Sequence, residues 1–113
     1  MKILKASDYH PFVNDFINNK SKEEISYNKL IHKFFDYCYA ESNFFKLNIE
    51  EDKGYQVEEV ISNNEKLQTQ WAVENELKFT YKNWFYEILF AQIDKFRPNV
   101  FLHTTENVLK RNL

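Results

Sequence analysis

Glu50-Glu51-Asp52-Lys53-Gly54-Tyr55-Gln56-Val57-Glu58-Glu59-Val60-Ile61 is the stretch that decides the fold. Phe44, Phe45, Leu47 and Ile49 lead into it at helical spacing. Gly54 is the only glycine in 113 residues, and at this point it enters the left-handed region that stops a helix without a Cβ clash. Tyr55, Val57, Glu59 and Ile61 then alternate with Gln56, Glu58 and Val60. That pattern predicts a strand over 55–61, half exposed near a sheet edge, with Glu59 on the mainly apolar side. A single glycine also excludes the Gly-rich phosphate loops of NTPases and dinucleotide-binding proteins.

Upstream, residues 3–7 read as a buried first strand, broken by Asp8-Tyr9-His10-Pro11. Pro11 suits the first position of a helix whose inner face is Phe12, Phe16 and Ile17. Ser21-Lys22-Glu23-Glu24 matches a capping box. After it, Tyr27, Leu30, Ile31, Phe34, Phe35 and Cys38 fall on one helical face, and the helical pattern continues to Gly54. Cys38 on that face reads as a core filler rather than a nucleophile.

Downstream, Asn63-Asn64 is a turn and cap signal. Leu67 and Trp71, with Glu74 or Leu77, predict a short amphipathic helix. Thr80-Tyr81-Lys82-Asn83 separates it from a stronger helix with Phe85, Ile88, Leu89, Gln92, Ile93 and Phe96 on one face. Arg97-Pro98-Asn99 stops that helix. Val100-Phe101-Leu102-His103-Thr104 is the third strand, and residues 106–113 open another helix.

Strands separated by long helical segments cannot be hairpins, so the expected fold is α/β: a Rossmann-like half domain with a three-stranded parallel sheet, order 2-1-3, flanked by helices. The length fits one domain over 1–113. Aromatic residues are 18% of the chain, enough to fill a small core or to leave rings in need of cover. With a net charge of −2 and interspersed Lys and Glu, no basic stripe invites nucleic acid. One cysteine, a polar N-terminus and no long apolar run give the expectation of a cytoplasmic protein, with no membrane partner.

Met1-Lys2-Ile3-Leu4, Gly54-Tyr55-Gln56-Val57-Glu58-Glu59-Val60, Asn63-Asn64-Glu65-Lys66-Leu67-Gln68-Thr69-Gln70-Trp71-Ala72 and Ile93-Asp94-Lys95-Phe96-Arg97-Pro98-Asn99-Val100-Phe101-Leu102-His103 together carry a family resemblance. In that order they resemble the N-terminal domain of GT-B-type bacterial glycosyltransferases, especially the spore-maturation glycosyltransferase-like proteins. The resemblance implies a domain that shapes the acceptor side of the cleft, while a second Rossmann-like domain holds most of the nucleotide-sugar. These residues hold no second sheet, so the implied chain is catalytically incomplete alone. Its implied partners are a sugar acceptor or nucleotide-sugar in the parent protein, with no cofactor. The alternative is a stand-alone interaction module that forms a homodimer through its sheet edge or aromatic surface.

Ligands of open α/β sheets gather beyond the C-terminal ends of the strands. The candidate substrate-binding residues there are Ser7, Asp8, His10, Asn63, His103 and Thr104, with His10 or His103 as a general base. The competing structural reading has Asp8 and Asn63 capping helices and His103 closing a strand. Trp71 and Trp84 are either sugar-stacking platforms or core. His10, His32 and His103 lack metal-ligand spacing, so no metal site is expected.

Overall fold

The computed structural model describes residues 1–9, 14, 15, 18, 25–37, 50 and 54–105. Strand β1 (Lys2–Asp8) is central, with β2 (Gln56–Ile61) on one side and β3 (Val100–Thr105) on the other. Both pairings are parallel, so the sheet has the expected order β2-β1-β3. Helix α1 (Tyr27–Tyr37) lies in the first crossover; α2 (Glu65–Glu74) and α3 (Trp84–Phe96) lie in the second.

Alternation along the strands sorts the core into two layers. Leu4, Ala6 and Val60 share one face and pack against Leu89 of α3, with Phe85, Ile93 and Phe96 around them. Ile61 faces the other way, against Tyr27, Leu30, Ile31 and Phe34 of α1 and Leu67 of α2. Between α2 and α3, the buried amides of Gln68 and Gln92 exchange hydrogen bonds of 2.8 and 3.0 Å. Reciprocal pairing of this kind is what allows two amides inside an apolar layer. Among the described residues, no helix is long and apolar enough to cross a membrane.

Gly54 adopts φ +67°, and its N–H closes a turn onto the Glu50 carbonyl at 3.0 Å. The next strand starts two residues on, where the Gln56 N–H bonds the Met1 carbonyl at 3.0 Å. The Val57 N–H points away from β1, toward the open edge, and the Glu50 carboxylate accepts it at 2.9 Å. β2 is therefore an edge strand, as expected, but it is not half exposed. Val57, Glu59, Val60 and Ile61 are all buried, because helices cover both faces of the sheet.

The helix ends depart from expectation in two places. The capping box at Ser21 lies outside the described residues. Helix α1 instead starts after Ser26, whose hydroxyl accepts the Lys29 N–H at 3.3 Å. At α2 the cap is Asn64, not Asn63: its side chain accepts the Leu67 N–H at 3.0 Å. The far end of α2 closes with the Leu77 N–H on the Ala72 carbonyl at 2.9 Å and the Glu76 N–H on Val73 at 3.2 Å. This is a Schellman turn, and Glu76 holds its left-handed position at φ 54°.

Gly54 and Glu76 make opposite predictions. A Cβ on Gly54 meets nothing within 4 Å, so Gly54→Ala is opposed by the backbone alone, by about 1–2 kcal/mol. Glu76→Gly relieves the same backbone penalty and raises stability by about 1 kcal/mol. Urea unfolding of the two variants reads both signs; equal signs would show that left-handed backbone does not set these helix ends.

Tyr27 gives an alkaline signature. Its phenol is buried, and its oxygen has no hydrogen-bond partner among the described residues. Burial, then the Glu58 and Glu74 carboxylates, push its pKa well above the ordinary tyrosine value. The folded state therefore keeps a proton that the unfolded chain releases near pH 10. Stability falls above that pH, by about 1.4 kcal/mol per pH unit from this group. Tyr27→Phe is expected to remove that contribution and to stabilise the fold at neutral pH by about 1 kcal/mol, since it deletes an unsatisfied hydroxyl. Urea titrations at pH 7 and above pH 10 test both parts.

Candidate functional site

The order β2-β1-β3 reverses direction at β1, so the two crossovers leave on opposite sides. The crevice between the C-terminal ends of β1 and β3 is the switch point where such sheets take ligands. Asp8 ends β1 and His103 lies near the end of β3. In the register Ala6 pairs with His103 and Asp8 with Thr105. Asp8 and His103 therefore point to the same face, one step apart on the diagonal.

The side chains meet there. His103 Nε2 lies 3.0 Å from Asp8 Oδ2, with side-chain exposures of 40% and 19%. The other carboxylate oxygen, Oδ1, accepts from the hydroxyl of Ser62, a fully buried residue just beyond β2. Asp8 thus joins the ends of all three strands. A carboxylate only accepts, so in the neutral imidazole Nε2 carries the hydrogen and Nδ1 keeps its lone pair. The Phe101 ring lies nearly parallel to the His103 ring, with centroids 6.4 Å apart and planes at 20°.

The order of groups is Ser62–Asp8–His103, with the carboxylate in the middle. A serine nucleophile would need its hydroxyl on the histidine and the carboxylate behind it. Here the hydroxyl serves the carboxylate, so the arrangement presents an oriented base and no activated serine.

The other sequence candidates fall in different places. Ser7 and Thr104 face the opposite side of the sheet, where the Thr104 hydroxyl donates to Ser7 Oγ at 3.1 Å. Asn63 ties the loops together: its Oδ1 accepts the Tyr9 N–H at 2.9 Å and its Nδ2 donates to the Tyr9 carbonyl at 2.6 Å. Asn14, itself buried, donates to Asn63 Oδ1 at 3.2 Å. His10 lies outside the described residues. Ser62 is the site residue that is not among the sequence candidates. Its signal was present, since a small hydroxyl directly after a buried strand end must find a partner. Asn63 does not supply the observed cap of α2, which is Asn64. The start of the helix that Asp8 would cap lies outside the described residues, and His103 also meets Asp8.

Trp71 is partly buried against the α1 layer, with the Lys95 ammonium 5.9 Å from its ring centre. His32 is exposed, with Nδ1 2.6 Å from the Asn28 carbonyl. Among the described residues, no group of three or more His, Cys, Asp or Glu is placed to hold a metal ion. Comparisons with protein-family models, with curated proteins and with solved structures gave no match.

Proposed function

We propose that the chain is the acceptor-side domain of a glycosyltransferase-like protein, with His103 as the base that takes the acceptor's proton. The observation that carries this reading is the 3.0 Å Asp8–His103 contact at the switch point of the sheet. Asp8 fixes the tautomer and orientation of the ring and stabilises the imidazolium once it forms; Ser62 holds Asp8.

In the step this implies, the acceptor O–H bond breaks and its proton goes to His103 Nδ1. The freed oxygen pair forms a bond to the anomeric carbon of a nucleotide-sugar donor. The bond from that carbon to the phosphate oxygen breaks, and its electrons leave with the nucleoside diphosphate. The reading gives this chain the acceptor and the proton; it does not give it the donor.

Thermal unfolding of the full chain with ligands tests the division. A ligand that binds the folded state raises the midpoint as its concentration exceeds Kd. Saccharides are expected to raise it, and nucleoside diphosphates to leave it unchanged. The reverse pattern would contradict an acceptor-side domain.

A further inference from the structure

We propose that the groove beside Asn63 is a binding subsite for one neutral pyranose ring, a proposal that rests on the acceptor-side reading for its biological role. The groove encloses about 430 Å³, within the usual range of small-molecule sites, about 300–1,000 Å³. It lies between the start of α2, the turn before α3 and the residues Asp15 and Asn63.

Its walls differ in chemistry, and each suits part of a sugar. Tyr81 and Trp84 form the aromatic side. Tyr81 is 77% exposed, and Phe79 braces it edge-on at 5.4 Å. Phe85 braces Trp84 in the same way at 6.0 Å. Aromatic ring faces carry the negative side of the quadrupole. The C–H groups on one face of a pyranose are apolar and weakly positive, so they match.

The lining also includes the Asp15 and Glu65 carboxylates, which make no hydrogen bond or ion pair among the described residues. Carboxylates accept only, and sugar hydroxyls supply the donors. Asn63 makes a rigid wall, because its amide is already bonded to Tyr9 and Asn14. Among the described lining residues, two carboxylates stand against the ammonium of Lys66, a balance that disfavours phosphates and uronates. Asn63 in the groove wall follows Ser62, whose hydroxyl holds Asp8, while Asp8 and His103 themselves do not line the groove.

The test is an amide and indole NMR titration of the full chain with methyl glucoside, galactoside and mannoside, with glucuronate and glucosamine as charged controls. At least one neutral pyranoside is expected to shift Asn63, Glu65, Tyr81 and the Trp84 indole, with Kd in the millimolar range. Glucuronate is expected to bind at least five-fold more weakly. Tyr81→Ala, at an exposed position that does not support the core, is expected to weaken binding at least five-fold, and Asp15→Asn by a similar factor.

No response from any neutral pyranoside, a response untouched by Tyr81→Ala, or a ten-fold preference for glucosamine would overturn the proposal. The two readings fail separately. Shifts confined to Asp8, Ser62 and His103 would remove the groove and keep the acceptor-side reading. Groove shifts with the His103 ring unaffected would keep the groove and count against His103 as the base.

Discussion

Phe34→Ala is expected to lower the unfolding free energy by about 3–5 kcal/mol, the range for truncating a buried ring. Phe34 is the largest fully buried side chain among the described residues. It meets the Tyr9 ring edge-on at 5.1 Å and the Phe35 ring at 6.4 Å, and it sits among Leu30, Ile31, Ile61 and Leu67. Removing it opens a void between α1 and the sheet that backbone on both sides keeps from closing. Domains of this size are held by about 5–15 kcal/mol in total, so the variant would be partly unfolded near physiological temperature. The check is the urea midpoint: it should fall steeply with the slope unchanged. A loss under 1 kcal/mol would mean that α1 does not cover this face.

His103→Ala is expected to lower turnover by about 10²–10⁴-fold in any enzyme in which this chain supplies the acceptor site, the usual weight of general acid–base help. The acceptor KM should change little, because the imidazole takes a proton rather than holding the sugar. Asp8→Asn should give a large part of the same loss while leaving the ring in place. An amide offers His103 Nε2 either a donor or an acceptor, so the tautomer is no longer fixed. His103 is 40% exposed on its side chain, so His103→Ala should leave the urea midpoint nearly unchanged. A large KM rise with normal kcat would assign His103 to binding instead.

Much of the fold is legible because period, breakers and connection length agree. Gly54 marks the helix-to-strand step, and its backbone is left-handed. The strands expected over 3–7, 55–61 and 100–104 are found at Lys2–Asp8, Gln56–Ile61 and Val100–Thr105. The parallel order follows from crossovers too long for hairpins. Gln92 on an otherwise apolar helix face was a sign that another buried polar group had to meet it, and Gln68 does.

Caps are less legible because they turn on which of several neighbouring oxygens reaches an N–H. Asn63 and Asn64 carry the same side chain, yet one holds Tyr9 and the other caps α2. The candidate site was half legible for a related reason. Ser7 and Asp8 are adjacent in a strand, so they cannot both face one crevice. The same parity separates His103 from Thr104 and pairs the two sets on opposite faces. The groove was hidden because Tyr81 stands in a connecting segment, where periodicity says nothing about direction.

The central claim is that Asp8 sets His103 as the base of a sugar-binding crevice, and the nitrogen NMR spectrum of the His103 ring tests it most directly. The account predicts that the neutral ring carries its hydrogen on Nε2, with the Nδ1 signal moving when a saccharide is added. In Asp8→Asn the tautomer preference should weaken or vanish. A ring spectrum that is the same in both chains, and that no saccharide changes, would contradict it.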